Sequence, residues 1–307
     1  MRVVVVGAGA VGGYFGGRLA EAGEDVVFFA RGEHLDALRR TGLRVESPKG
    51  DLVLSKVQAT DDVADVEAAD LVLVCVKAWQ VPDVATTIQP FVGPNTAVLP
   101  LQNGVEAADH LAVVLGRDRV LVGLCKILCM IVGPGHIRHM GVHPRVLLGE
   151  VDNRSSDRVR AIMGAFERAR VAVENPPDVG VALWEKFLLI ASLGGVGAVT
   201  RSSTGVIRSV PESRALLQEA MQEIAAVATA RGHALPGDGV SRALKFIDAM
   251  PEGATASMQR DIMEGRPSEL ESQNGAVVRL GSAAGVDTPV HRFIHGALLP
   301  MEMAARG

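Results

Sequence analysis

Met1–Gly23 reads MRVVVVGAGAVGGYFGGRLAEAG. Val3–Val6 run straight into a glycine cluster, and a helix-like stretch follows. The pattern G-x-G-x-x-G falls on Gly7, Gly9 and Gly12, and each glycine has its own task. Gly7 permits the tight turn, Gly9 lets the backbone approach a pyrophosphate, and Gly12 lets the next helix pack on the strand. Ala10 and Val11 stand between them, where the free N–H groups and positive dipole end of a helix N-terminus face a phosphate. The motif alone is weak. Here a strand precedes it, a helix over Gly16–Ala22 follows, and a second strand at Asp25–Ala30 completes the unit. A diphosphate is therefore expected on Gly7, Gly9, Ala10, Val11 and Gly12.

The end of the second strand bears on which dinucleotide it is. An acidic residue there holds ribose hydroxyls in an NAD site, whereas this chain has Arg31. A guanidinium fits a 2′-phosphate bidentately, which favours NADP. Further β-branched runs lie at Leu71–Val76, Thr96–Leu101 and Arg119–Leu124. They are apolar throughout, as parallel strands buried on both faces are, and helical or loop patterns separate them. The first part of the chain thus reads as a doubly wound α/β sheet of the Rossmann kind. GHIRHMGVHPRVLLGE reads as a hairpin with Gly141 near its turn, and a helix from Asn153–Asp157 leads to a strand at Val171–Glu174. NPPDVG, Asn175–Gly180, stops that pattern. Beyond it Arg214–Gly232, Asp238–Met250, Ser268–Gly285 and Val290–Ala305 all carry helical spacing. Two domains are expected, residues 1–175 and an all-helical 176–307.

Composition narrows the class. Of the 307 residues 48% are apolar and only 4% aromatic, so the core is built of Val, Leu, Ala and Ile. A net charge of −4 without basic runs excludes the electrostatic footprint of a nucleic-acid binder. The longest apolar stretch, Phe187–Val199, falls well short of the about 20 residues of a membrane span, and the N-terminal run lacks a cleavage site. The reading is a cytoplasmic protein. Cys75, Cys125 and Cys129 suggest no disulfide framework. His136, His139 and His143 lie in the hairpin, the first two on opposite faces, and His291 and His295 lack a third ligand, so no metal site is expected.

GAGAVGG, Arg31, KAWQ at Lys77–Gln80, QNG at Gln102–Gly104, LWEKF at Leu183–Phe187 and SMQRDI…GRPSELE over Ser257–Glu271 together resemble the ketopantoate reductase family. The ordered set spans nearly the whole chain. The resemblance implies a Rossmann domain followed by a helical domain of the 6-phosphogluconate-dehydrogenase type, with NADPH and a 2-keto acid bound between them. It implies a place in pantothenate biosynthesis and the possibility of a homodimer. Lys77 and Gln80 follow a strand's carboxyl end, where open α/β sheets bind ligands. Asn103 sits at the matching point of the next strand, and the resemblance assigns it to the nicotinamide region and catalytic centre. An Asn–Gly pair is also a simple turn former. Lys186 lies inside an apolar helix, costly without a task or a partner. By resemblance it is the general acid, with Glu269 orienting it and Ser257 meeting the substrate carboxylate. Ser268 and Glu271 have capping-box spacing, which puts Glu269 in a first helical turn.

The pattern departs from the family where the substrate would be gripped. Family members carry asparagines four and eight residues after the lysine, and here Ile190 and Gly194 stand there. The asparagine expected three residues before Ser257 is Ala254. Ile190 asks for apolar surface and Gly194 leaves room, so a bulkier, less hydroxylated carbonyl compound than ketopantoate is expected. The activity implied is NADPH-dependent reduction of a small carbonyl substrate. An imine substrate or a non-catalytic NADPH-binding regulator are the alternatives, and a buried lysine opposite a carboxylate argues against the regulator.

Overall fold

A computed structural model describes residues 1–307. The chain divides into two compact units, one of Met1–Gln102 with Ala107–Val179 and the other of Asn103–Glu106 with Gly180–Gly307.

The first unit is built on β1 (Arg2–Val6), α1 (Ala10–Glu21), β2 (Asp25–Phe29), α2 (Gly32–Thr41), β3 (Leu43–Glu46), β4 (Leu52–Leu54), β5 (Gln58–Thr60), β6 (Leu71–Val74), α3 (Val81–Thr87) and β7 (Ala97–Pro100). It continues through α4 (Ala107–Leu115), β8 (Leu121–Lys126), β9 (Cys129–Gly133), β10 (His136–His139), β11 (Arg145–Glu150), α5 (Asp157–Arg168) and β12 (Ala172–Glu174). The main sheet runs β5-β2-β1-β6-β7, all parallel. Its order reverses at β1/β6, the switch point where such sheets bind ligands. Val3–Val6 and Leu71–Val74 are buried throughout, as strands covered on both faces must be.

The expected hairpin around Gly141 does not exist. β10 pairs with β9 and β3, whereas β11 pairs with β8 and β12, so the two halves of that stretch belong to different sheets. The true hairpin is β9–β10, turned at Pro134–Gly135, where Gly135 takes φ +69°. Its first strand, CMIVG, has mostly exposed apolar residues, which conceals it in the sequence. β3, β4 and β5 are three or four residues long and likewise escape a pattern search.

The second unit contains only helices: α6 (Val179–Thr200), α7 (Thr204–Ser209), α8 (Pro211–Ala230), α9 (Gly239–Asp248), α10 (Ser257–Met263), α11 (Ala276–Ala284) and α12 (Pro289–Arg306). By length and composition α6 could cross a membrane, but 61% of its most apolar window is buried inside the protein. It is the central core helix, and polar groups pack on it. Asn274 Nδ2 donates to the Ala191 carbonyl at 3.2 Å, and a Cβ at Gly195 would stand 2.5 Å from that same nitrogen. A Cβ at Gly197 would stand 2.5 Å from Gln259 Oε1. The helix expected over Ser268–Gly285 is not regular. A π-helical turn, Glu271–Gly275, precedes α11, with the Gly275 N–H reaching back to the Leu270 carbonyl.

The glycines of the N-terminal motif separate by packing. A Cβ on Gly12 would lie 2.2 Å from the Gly7 carbonyl oxygen and 2.9 Å from Val5, whereas one on Gly9 would meet only Ile131 Cδ1 at 3.8 Å. Gly12→Ala should therefore lower stability by about 1–3 kcal/mol, the usual cost of overpacking, while Gly9→Ala stays within about 0.5 kcal/mol of the parent. Urea midpoints of the two variants check the contrast, and equal midpoints would contradict it.

Candidate active site

In the first unit the glycine loop joins β1 to α1. Gly7 turns with φ +91°, and Gly9 caps α1 from an extended conformation. No side chain caps the helix and no acidic residue occupies its first turn. The N–H groups of Ala10, Val11 and Gly12 thus lack the carboxylate that would compete with an anion. The space beside Gly9 is open except for Ile131, so a phosphate can approach the backbone closely. Loop and helix fit a dinucleotide diphosphate.

Arg31 caps α2 and is exposed, immediately after β2. Lys77 and Gln80 are exposed on the 3-10 turn after β6, with Lys77 Nζ 5.6 Å from the centre of the Trp79 ring. Gln80 Oε1 accepts from the Lys77 N–H at 3.1 Å, which fixes that turn. Gln102 is 6% exposed and donates through Nε2 to the carbonyls of Val74 and Val76, tying the ends of two strands together.

Three features lie near this loop, and the first two escape the sequence reading. His34 follows Arg31 on α2, and its Nδ1 accepts from the Gly135 N–H at 3.2 Å. Burial pushes its pKa below the ordinary value, against a smaller upward pull from the Ala8 backbone. The neutral ring therefore links α2 to the β9–β10 turn. Ile131 on β9 flanks Gly9, and only the misplaced hairpin hides it. The third is a group of thiols under the loop. Burial raises Cys75 well above an ordinary thiol, with Cys125 and Cys129 adding to it, and Cys129 is pushed up to about 12. Such thiols are inert packing groups.

The second unit gathers the other expected residues. On α6, Trp184, Phe187 and Leu188 face the core, while Lys186 and Ile190 lie on a partly exposed stripe one turn apart. Asn103 does more than make a turn. Its Nδ2 donates to Glu269 Oε2 at 3.2 Å, and Gly104 takes φ +111° so that the backbone packs against the Ser272 carbonyl. Glu269 is 6% exposed and also receives Gln273 Nε2 at 3.4 Å. Ser257 opens α10 and is exposed.

Two expectations are corrected here. Ser268 and Glu271 make no capping box. The carboxylate on Ser268 comes instead from Glu302 of α12, which accepts from the Ser268 N–H at 3.0 and 3.1 Å and from its hydroxyl at 2.5 Å. Glu302 is 2% exposed and is held in turn by Arg306. Glu271 points elsewhere, to His295 at 2.7 Å and to Arg279 at 3.2 Å. Glu269 accordingly precedes the π-helical turn rather than opening an α-helix. Sequence offers no local sign of Glu302, which lies 34 positions along the chain. The second correction concerns Gly194, whose vacated space is closely lined by other side chains rather than open. Its Cβ would stand 3.3 Å from Met258 Cε, 3.5 Å from Gln273 Oε1 and 3.7 Å from Ala256 Cβ. Side chains from outside α6 fill the space that the glycine vacates.

Comparison with known proteins bears on both units. Residues 3–153 match the model of the family Ketopantoate reductase PanE/ApbA, and residues 178–302 match that of its C-terminal domain. A 2-dehydropantoate 2-reductase of Halobacterium salinarum is 32% identical over 96% of each chain. The crystal structure of a PanE/ApbA family ketopantoate reductase from Ralstonia eutropha JMP134 superposes with a TM-score of 0.91 at 34% identity, covering both chains fully. The ternary structure of D-mandelate dehydrogenase with NADH and anilino(oxo)acetate shares the fold, with a TM-score of 0.90 at 20% identity.

His34 yields a pH dependence. Its folded pKa lies below the ordinary 6.5, so the unfolded chain takes up the proton first. The stability it contributes is complete above 6.5 and is lost as pH falls through the lowered folded value. Between about pH 7.5 and 5.5 the urea midpoint should fall more steeply for the parent than for His34→Gln, which keeps an acceptor for Gly135 without titrating. Parallel slopes would show that His34 is not the group responsible.

Proposed function

The chain belongs to the ketopantoate reductase family, and from that premise we propose that it reduces a 2-keto acid to the 2-hydroxy acid, using NADPH and Lys186 as the proton donor. The observation that carries this reading lies in the second unit: Asn103 is bonded to a buried Glu269, and Lys186 lies on the partly exposed stripe of α6. A regulator that only sensed a dinucleotide would need no such arrangement.

Gly7, Gly9, Ala10, Val11 and Gly12 would hold the diphosphate, Arg31 the 2′-phosphate, and Lys77 and Gln80 the neighbouring edge of the dinucleotide. When bound, the nicotinamide supplies a hydride. Lys186 donates a proton to the carbonyl oxygen, and its ammonium stabilises the negative charge developing there before transfer. Glu269 orients that ammonium. Asn103 fixes the carboxylate through Oε2, and in this reading it serves the reacting end of the substrate. Ser257 receives the substrate carboxylate, and Ile190 provides apolar surface beside the carbon chain. Ketopantoate is one candidate within this class, and pantothenate synthesis is the pathway it would imply.

A screen of NADPH oxidation over 2-keto acids, ketopantoate included, tests the activity. On the acid that turns over best, Lys186→Ala should lower kcat by about two to four orders of magnitude and leave NADPH affinity nearly unchanged. Near-normal turnover in that variant would make Lys186 a structural residue. NADPH should bind at least about tenfold more tightly than NADH, a difference of about 1.4 kcal/mol, and Arg31→Ala should erase it. Equal affinities in the parent protein would remove Arg31 from the site.

A further inference from the structure

Gln273 is 1% exposed, sits in the π-helical turn, and holds its amide between two features of the second unit. On one side Nε2 meets Glu269 Oε2 at 3.4 Å. On the other, Oε1 lies 3.5 Å from where a Gly194 Cβ would stand. The amide's orientation follows from chemistry. A carboxylate only accepts hydrogen bonds, so the NH2 must face Glu269 and the oxygen must face Gly194. That oxygen is buried and has no hydrogen-bond partner in the protein. An acceptor left this way is a standing cost, and such groups call for a specific explanation.

The surroundings supply one. Gly194 lies two helical turns beyond Lys186 on the same side of α6, past Ile190, where the helix passes into the core. Met258 Cε is the atom nearest the vacated Cβ position, and it ends a flexible, unbranched side chain. For a substrate to reach Oε1, that buried methyl group must swing aside. We infer that Gln273 is a specificity-determining residue, whose Oε1 accepts a hydrogen bond from a hydroxyl on the carbon chain of the substrate. The position after Lys186 and Ile190 is thus not merely apolar: an amide reaches it from the π-helical turn rather than from α6 itself. This rests on the reductase reading above, and it replaces the preference for a less hydroxylated compound that Ile190 and Gly194 suggest when read alone.

The test compares ketopantoate with 3,3-dimethyl-2-oxobutanoate, which differs only in lacking the hydroxyl, on the full-length protein and on Gln273→Met. The methionine keeps the length of the side chain and removes the acceptor. A site built to bind a hydroxyl rejects the analogue without one, so parental kcat/KM should favour ketopantoate by at least about tenfold. In Gln273→Met that ratio should fall to within about threefold of unity. Any loss common to both acids, as from a less firmly held Glu269, divides out of it. Oε1 is unsatisfied in the free protein and the only bond lost is the long 3.4 Å one to Glu269, which keeps Asn103, so the melting temperature of Gln273→Met should stay within about 2 °C of the parent. A ratio unmoved by the substitution overturns the inference and leaves the reductase reading intact. A melting temperature lower by more than about 5 °C also overturns it, by making Gln273 part of the scaffold, and that measurement stands whether or not any acid turns over. Failure of the reductase reading has a different signature, no NADPH oxidation with any 2-keto acid.

Discussion

Close approach of a helix to its neighbours, where a missing Cβ allows it, is the constraint on which both units depend. In the first unit Gly12 brings α1 against the carbonyl of Gly7 and against Val5, and Gly16 brings the same helix against Phe28. Adding a Cβ at either point would push the helix away from the sheet and misalign its N–H groups with the turn they serve. In the second unit the glycines of α6 admit Asn274 and Gln259 amides beside the helix backbone. Each of these side chains is buried and polar, and together they fix the helix in register in a way that apolar packing alone would not.

Glu269 inherits its placement from that arrangement and from a second layer behind it. Glu302 grips the N–H and hydroxyl of Ser268, Arg306 grips Glu302, and the Arg306 guanidinium also reaches the Ser268 carbonyl at 3.1 Å. A site residue is only as well placed as the groups that hold its neighbours, and here those groups come from the last turn of the last helix. The π-helical turn adds to this. Within it Gln273 keeps an ordinary backbone bond to the Glu269 carbonyl, and its Nε2 meets Glu269 Oε2, with Asn103 Nδ2 as the other donor.

Sequence carries the parts of this architecture that are local. β1, β2 and β6 are legible because both faces of each are buried, so the residue types are uniform. The glycine loop is legible because its geometry admits few residue types. Lys186 stands out as a charge among Trp184, Phe187 and Leu188. What remains hidden is long-range or conformational. The β9–β10 hairpin hides because exposed Met130, Ile131 and Val132 imitate no buried pattern, and the sequence suggests a turn near Gly141 whereas the chain turns at Gly135. Glu302 hides because nothing near it in the chain names Ser268 as its partner. Gly194 misleads because a glycine in sequence says only that its own side chain is missing, whereas Met258 and Gln273 decide what fills the gap.

The short excursion Asn103–Glu106 belongs to the helical unit although the chain on both sides of it belongs to the first. Asn103 bonds Glu269, Glu106 pairs with Arg279, and Val105 packs into the helical core. On the ribosome these four residues emerge long before the helices that receive them. The helical unit is therefore completed by a piece synthesised before any of its own helices, and the nascent first unit must keep that loop available while the rest is made. The same topology makes the protein a natural candidate for fragment complementation. A nick within Asn175–Gly180 would cut the chain at one crossing and leave Asn103–Glu106 still built into the partner fragment.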